Sequence, residues 1–219
     1  MRDLTNKFLS EDEKNKIRNC VAKAEKTTSG EIVPMVVTAS YHYPMAEMTG
    51  SLILSLLTAV IATLIVTVQK SWGGITALDM WLFPAVFAVA FVVFYELIKN
   101  ILFLKRLLIT KDEMKEEVGE AALKAFYSKG LTNTRDRTGI LIYISVFEKL
   151  AYVLADEGIN SKVNPGVWQE IVDIVVESIK AHKQTEGICE AVKRCGELIE
   201  KNFPIKPDDT NELDNLIVD

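Results

Sequence analysis

Residues 134–158 read TRDRTGILIYISVFEKLAYVLADEG and carry the clearest strand pattern in the chain. Residues 139–147 are an almost unbroken apolar run of strand length, which is typical of a strand buried on both faces. Glu148 and Lys149 predict a tight turn, and residues 150–155 predict the partner strand of a hairpin. Asp156, Glu157 and Gly158 then read as a turn. The stretch therefore predicts the centre of a β-sheet.

Amphipathic helices are predicted on both sides of this hairpin in the sequence. Ser10 and Glu13 have the spacing of a capping box, which marks the start of the first helix. Residues 111–129 form a second helical pattern that Gly130 ends. After the hairpin, helices are expected to begin at Asn164-Pro165 and at Thr185.

Residues 31–38 (EIVPMVVT) predict one more strand, in which Pro34 indicates an edge position or a bulge. The proline- and acid-rich residues 204–219 are expected to lie over the surface. The order of elements predicts an α/β fold, a small mixed sheet with helices on both faces.

Two apolar runs interrupt this pattern. Residues 50–68 (GSLILSLLTAVIATLIVTV) contain no charge and, as a helix, span about 28 Å, close to the hydrocarbon core of a bilayer. A second run covers residues 80–98, and the polar residues 69–74 separate the two. The sequence therefore predicts a two-helix transmembrane hairpin within residues 50–95, inserted into one discontinuous α/β domain formed by residues 1–49 and 96–219.

The basic residues predict the orientation of this hairpin. The connection between the runs carries only Lys70, whereas Lys or Arg follows the second run at positions 99, 105, 106, 111 and 115. Cytoplasmic loops carry excess Lys and Arg, so the soluble domain and both termini are expected on the cytoplasmic side of an inner membrane. The lipid bilayer and a membrane protein are the expected partners.

The net charge and the cysteines narrow the class of protein. A formal charge of −5 argues against a nucleic-acid binder, which needs a basic face. The three cysteines Cys20, Cys189 and Cys195 lie on apolar faces of predicted helices, and their number is odd. They are expected to be buried free thiols, in keeping with a reducing compartment.

Several ordered motifs resemble the TPM domain family. They are Ser29-Gly30-Glu31-Ile32-Val33, residues 134–145 with Glu148, residues 155–159, Trp168, Phe203-Pro204 and Asn211-Glu212-Leu213. The match is closest to a membrane branch whose domain an apolar hairpin interrupts. The resemblance implies an α/β sandwich. It also implies roles that differ between members: photosystem repair, an accessory role beside membrane receptors, or weak acid phosphatase activity with a bound divalent cation, and many members are extracytoplasmic.

The loop before the best strand is the candidate ligand-binding segment. Arg135 and Arg137, beside Asp136, Thr138 and neighbouring hydroxyls, have the chemistry to hold a phosphate or a carboxylate. The alternative, which we favour, is that Asp136 and its flanking arginines brace the loop by ion pairs and turn hydrogen bonds.

Carboxylates at strand ends are the candidate metal ligands, since hard cations such as Ca²⁺ prefer several carboxylate oxygens. Asp156 is the best single candidate, beside Glu157, and Glu31 or Glu148 is able to complete a site. The alternative for Asp156 and Glu157 is a turn with solvated acids. The tail acids Asp208, Asp209 and Glu212 are weaker candidates. Neither histidine, His42 or His182, has a partner at metal-ligand spacing.

Standard hydrolase motifs are absent from the sequence: it has no Walker loop, no Gly-x-Ser-x-Gly and no Cys/His nucleophile pair. The favoured hypothesis is therefore a non-enzymatic accessory or assembly factor for a membrane complex. The alternative is a divalent-cation-dependent phosphatase, or a small-ligand-binding domain, that uses Asp156 and the arginine loop.

Overall fold

The computed structural model describes residues 3–69, 77–164, 166–205 and 212–219. Residues 70–74 of the predicted turn between the apolar runs lie outside these residues, as do Pro165, Asp208 and Asp209. The helices are α1 Asp3–Phe8, α2 Glu11–Ala24, α3 Pro44–Gln69, α4 Ala77–Asn100, α5 Leu102–Leu107, α6 Lys111–Ser128, α7 Glu157–Asn160, α8 Gly166–Lys180 and α9 Gln184–Glu200. The strands are β1 Glu31–Val37, β2 Gly139–Ser145, β3 Leu150–Ala155 and β4 Ile217–Val218.

The chain forms two compact units. Unit 1 consists of Met1–Tyr41 and Met114–Asp219, and unit 2 consists of His42–Glu113. Unit 1 contains a four-stranded mixed sheet with the strand order β3-β2-β1-β4. β1 is parallel to both β2 and β4, whereas β2 and β3 form the antiparallel hairpin. The predicted α/β class with a small mixed sheet is confirmed.

Helices cover both faces of the sheet. Alternate side chains of each strand point to opposite sides, so the apolar strands give the sheet two apolar faces that need cover. Ile140, Ile142 and Ile144 of β2 face a core shared with α2, α8 and α9. Leu141 and Tyr143 face a second core shared with α6. All residues of β1 and β2 are buried, as expected for inner strands covered on both sides.

The position of β1 differs from the sequence prediction. Pro34 indicated an edge position or a bulge, but β1 is an inner strand between β2 and β4. Glu31 N donates to Thr138 O, and Val37 O accepts from Val146 N, so the backbone groups of both residues face β2. Pro34 is three residues from each of them, so its nitrogen faces the other side, towards β4. There β4 pairs only with Met35 and Val36, so the missing N–H interrupts no ladder.

Other local predictions need correction as well. The tail contributes β4 to the sheet, and Leu216 is buried, because the edge of β1 offers unpaired backbone groups to an extended chain. The strand predicted over residues 139–147 is shorter in the structure, because β2 ends at Ser145, and Val146 N then donates a hydrogen bond to Val37 O. Asp156 is the N-cap of the short helix α7 rather than part of a turn, and α9 begins before Thr185, with Lys183 at its N-cap position.

The capping box that opens α2 is confirmed, with Ser10 at the N-cap and Glu13 bonded back to it. The cysteine prediction is wrong for two of the three residues. Cys20 of α2 and Cys189 of α9 form a disulfide with their Cα atoms 5.6 Å apart, and both are half-buried. Cys195 is a buried free thiol, as predicted. Packing of α2 against α9 joins two cysteines that are 169 residues apart in the chain.

Unit 2 contains the two apolar helices. The segments Pro44–Gln69 and Met80–Asn100 have mean hydropathies of 2.5 and 2.1, and are long and apolar enough to cross a membrane. They pack side by side along a seam of small residues, in which Ser51, Ser55 and Ala59 of α3 are fully buried. A Cβ atom on Gly50 would lie 3.2 Å from Ile98 Cδ1, so the start of α3 lies against the end of α4.

A buried ion pair joins α3 to α5 at the base of this hairpin. Lys105 is 1% exposed, and its Nζ atom lies 2.6 Å from Glu47 Oε1. It also donates to the carbonyl of His42. The ammonium group thus has two oxygen partners, as a buried charge requires.

Candidate functional site

The loop from Thr134 to Thr138 is built by short-range hydrogen bonds. Arg137 N donates to Thr134 O at 3.1 Å, and Thr138 N donates to Thr134 Oγ1 at 3.0 Å. The Thr138 hydroxyl donates to Ser29 O at 3.1 Å, which joins the loop to the segment before β1. Thr138 is therefore engaged inside the fold, whereas the Arg135 and Arg137 side chains lie at the surface.

Arg137 and Asp156 form a bidentate ion pair beside the loop. Arg137 Nε and Nη2 donate to the two oxygens of Asp156 at 2.7 and 2.9 Å. Asp156 Oδ1 also accepts from Glu157 N at 2.7 Å, which caps α7. The Asp156 side chain is 3% exposed and that of Arg137 is 54% exposed. The carboxylate hydrogen bonds raise the pKa of Arg137.

Gly158 lies where the start of α7 packs closely against the arginine loop. A Cβ atom at this position would lie 2.9 Å from Asp136 O and closer still to Arg137 O. The absence of a side chain therefore lets the start of α7 approach the arginine loop, so that Asp156 meets Arg137. Arg137 has a φ of 57°, in the left-handed region that few residues with side chains adopt.

Glu31 lies at the same end of the sheet as Asp156. It pairs in register with Gly139, the residue whose carbonyl accepts from Asp156 N at 2.9 Å. Glu31 is buried, and its Oε1 accepts from Glu212 N at 3.1 Å. Glu212 Oε2 in turn accepts from Arg135 N at 3.2 Å. Glu31 and Glu212 thus connect the start of β1, the tail and the arginine loop.

Glu148 lies at the opposite end of the sheet. It follows β2, whose seven residues separate it from Gly139 by roughly 20 Å. Glu148 is buried, accepts from Ser40 N at 3.0 Å and also accepts from the Ser145 hydroxyl. Its position excludes a single cation site that includes both Glu148 and Glu31. Glu157 is exposed at the first position of α7.

The predicted metal and ligand roles of these residues stay predictions. Within the described ranges, no three His, Cys, Asp or Glu side chains are grouped closely enough to hold a metal ion. Both oxygens of Asp156 already accept hydrogen bonds from Arg137, so a cation that binds there shares the carboxylate with a positive charge. His42 contributes a backbone carbonyl to Lys105, and His182 follows α8 with a φ of 56°.

Sequence reasoning missed the direct pairing of Arg137 with Asp156 and the contact of Glu212 with both Glu31 and Arg135. It also missed Glu25, whose Oε1 accepts from Ile32 N at 3.1 Å and whose Oε2 accepts from Asn215 at 3.3 Å. These contacts join residues far apart in the chain, and no local pattern marks them.

The TPM domain family matches residues 103–198. This stretch of the chain resembles a TPM domain. It contains the arginine loop, Glu148, Asp156 and Glu157, and it begins after the two apolar helices. No curated protein matches the sequence.

The solved structure of the BA42 protein from the psychrophilic bacterium Bizionia argentinensis is similar in fold. The match has a TM-score of 0.57 at 20% sequence identity, and it covers 97% of this chain and 96% of BA42. At this level of identity the likeness concerns the fold alone. The α/β fold of this chain is therefore shared by a second protein.

Proposed function

We propose that this protein is a non-enzymatic accessory or assembly factor of a membrane complex, anchored by α3 and α4. The observation that carries the proposal is the surface of these two helices. Only 17% and 11% of the residues in their most apolar windows are buried, so large side chains such as Leu57, Ile61 and Val92 face outward. Outward apolar surface of this extent suits lipid or another apolar helix.

The polar side chains of α3 support its placement in a bilayer. Ser51, Thr58 and Thr63 each donate to a carbonyl one turn earlier, at 2.7 to 2.8 Å. In lipid, hydroxyls need such internal partners because no water competes for them. Four aromatic rings stack one after another along α4, with 6.3 to 6.4 Å between the centroids of neighbouring rings: Phe83, Phe87, Phe91 and Tyr95.

Membrane insertion is tested by alkaline carbonate extraction of membranes that contain the full chain. The protein is expected in the pellet with integral proteins, and its release by carbonate would contradict insertion. A partner is tested with a photo-cross-linking residue at Ile61, which faces outward, and at Ala59, which is buried against the hairpin seam. A protein adduct of fixed mass is expected from position 61 and not from position 59. Adducts with lipid alone, from outward positions on both helices, would contradict the accessory role.

We further propose that unit 1 and both termini lie on the cytoplasmic side, as the basic residues after the second apolar run favour. The Cys20–Cys189 disulfide argues for an oxidising compartment instead, because cytosolic thiols are kept reduced. In the cytoplasmic orientation the pair is therefore reduced in the cell and forms a bond only under oxidation.

A divalent-cation-dependent phosphatase is the second candidate. The observation in its favour is that the half-exposed Arg137 binds the carboxylate of Asp156, and that the exposed Arg135 belongs to the same loop. If Ca²⁺ binds there, a hundredfold excess over the dissociation constant adds about 2.7 kcal/mol to the free energy of unfolding. Asp156→Asn then removes most of that gain. Hydrolysis of a model phosphoester that is lost in Asp156→Asn and in Arg135→Gln would make the enzyme the leading function.

A further inference from the structure

A pocket of about 500 Å³ opens in unit 1 where α8 ends over the β2–β3 turn. Phe8 of α1 and Gln184 of α9 bound it, and Gln184 Nε2 donates to Phe8 O at 2.9 Å, which holds the two elements together. The volume lies in the range of small-molecule sites. Its floor is apolar and consists of Ile144, Leu150, Val176 and Ile179.

The rim of this pocket is basic. Lys7, Lys149, Lys180 and His182 line it, and none of the lining residues that the structure describes is Asp or Glu. Within the described part of the chain, neither Lys149 nor Lys180 forms an ion pair with a carboxylate. The neighbouring acid, Glu148, accepts from Ser40 N instead. The basic-rimmed pocket therefore suits a ligand with an anionic head and an apolar body.

The pocket lies at the end of the sheet from which the chain leaves unit 1. Ser145, part of the pocket lining, pairs in register with Val37, the last residue of β1. After Val37 the chain continues to Tyr41, the last residue of this part of unit 1. The same end of the sheet thus carries the basic rim and the end of β1.

We propose that the basic-rimmed pocket binds an anionic membrane lipid, with its phosphate between Lys149 and Lys180 and part of an acyl chain along the floor. The proposal rests on the proposed membrane insertion, which makes bilayer lipid the available anionic amphiphile. Basic groups near a membrane surface attract anionic lipids, and an apolar floor adds affinity that a free phosphate cannot gain.

Native mass spectrometry of the full chain in a neutral detergent tests the proposal, with dioctanoyl phosphatidic acid as the probe. One saturable site is expected. The double variant Lys149→Gln/Lys180→Gln is expected to bind roughly thirtyfold more weakly, since each lysine near an anionic headgroup contributes about a factor of five. The double variant Lys16→Gln/Lys26→Gln removes the same charge from exposed positions on and just after α2 and is expected to bind like wild type.

Two comparisons separate the lipid from other ligands. Ile179→Asn keeps the rim charges but places an amide in the floor, and it is expected to weaken binding while the protein still melts cooperatively. Dioctanoyl phosphatidylcholine and inorganic phosphate are expected to compete poorly. The lipid site would be overturned if the two double variants bound the probe equally well. It would also be overturned if inorganic phosphate competed for the site as well as phosphatidic acid does.

Carbonate extraction of the same variants distinguishes this proposal from the proposed function. Retention in the membrane without saturable binding overturns the pocket alone. Saturable, lysine-dependent binding by a protein that carbonate releases overturns membrane anchoring and leaves the pocket as an anionic-amphiphile site.

Discussion

The Asp156 carboxylate accepts from both Nε and Nη2 of Arg137, at 2.7 and 2.9 Å. The pair connects the loop before β2 to the residue after β3, and so closes the end of the β-hairpin. Because Asp156 also caps α7, its side chain joins the arginine loop, the end of β3 and the start of α7. A stabilising role of this kind needs no ligand. The sequence favoured bracing of the loop by Asp136 and its flanking arginines, whereas the carboxylate that Arg137 binds is that of Asp156.

Replacing Asp156 is expected to destabilise unit 1. Asp156→Ala removes the cap and leaves Arg137 without this partner, at a cost of about 2 kcal/mol, whereas Asp156→Asn keeps a cap acceptor and costs about 1 kcal/mol. Urea unfolding of the full chain in mild detergent, followed by hydrogen exchange of β2 and β3, measures both. Glu157→Gln, at the exposed neighbour, is the control and should change stability by less than about 0.5 kcal/mol. An Asp156→Ala protein as stable as wild type would contradict the bracing role.

The capping box of α2 is expected to make stability depend on pH. Hydrogen bonds from the backbone and the hydroxyl of Ser10 lower the pKa of Glu13. A folded-state pKa below the unfolded one means that the ionised carboxylate stabilises the fold above the unfolded value, near 4.3, and that this gain is lost as the pH falls through the folded value. The difference in melting temperature between wild type and Glu13→Gln should therefore be present at pH 7 and shrink below about pH 4. Asp12→Asn, in the same helical turn, is the control. A melting-temperature difference that grows on acidification would contradict the predicted direction of the pH dependence.

The buried pair of Glu47 and Lys105 is expected to matter far more than the exposed pair of Glu96 and Lys99. Glu47→Gln leaves the 1% exposed ammonium of Lys105 without its counter-ion, which costs about 3–5 kcal/mol for a buried pair. Glu96→Gln breaks an exposed contact of 4.0 Å and should cost less than about 0.5 kcal/mol. Unfolding of α3 and α4 in a titration of mild detergent with dodecyl sulfate measures both variants. Equal effects would mean that the Lys105 ammonium group is solvated in the folded protein.

Alkylation of the cysteines in living cells is expected to decide the orientation of unit 1. In the cytoplasmic orientation Cys20 and Cys189 are reduced and become labelled when cells are quenched with an alkylating agent, and they pair after addition of an oxidised dithiol. Cys195 is the internal reference, because burial raises its pKa to about 12 and keeps the thiol unreactive until the protein unfolds. A fully oxidised pair in untreated cells would place unit 1 in an oxidising compartment and contradict the charge-based orientation.

The same disulfide is expected to raise stability where it forms. Closing a loop of 169 residues stabilises the fold by at most roughly 5 kcal/mol in the chain-entropy treatment, and by less if α3 and α4 stay in the bilayer when unit 1 unfolds. Melting curves of the oxidised full chain and of its Cys20→Ser variant measure this gain. Identical curves would show that the bond does not form.

The sequence by itself determined the local elements of this protein. The Ser10 capping box, the hairpin of β2 and β3 and the two apolar helices follow from hydrogen bonds or side-chain periodicity within a few residues. Such signals depend on neighbours in the chain and survive any arrangement of the remaining elements. The α/β class followed from the order of these elements.

Only the tertiary structure decided which distant residues meet. It placed β1 inside the sheet despite Pro34, recruited residues 217–218 as β4, and joined Cys20 to Cys189. It also put Glu31 and Asp156 at one end of the sheet and Glu148 at the other. Strand order, helix packing and ion pairing join segments through space, and their free energy depends on the whole packed core, so no single stretch of sequence carries them.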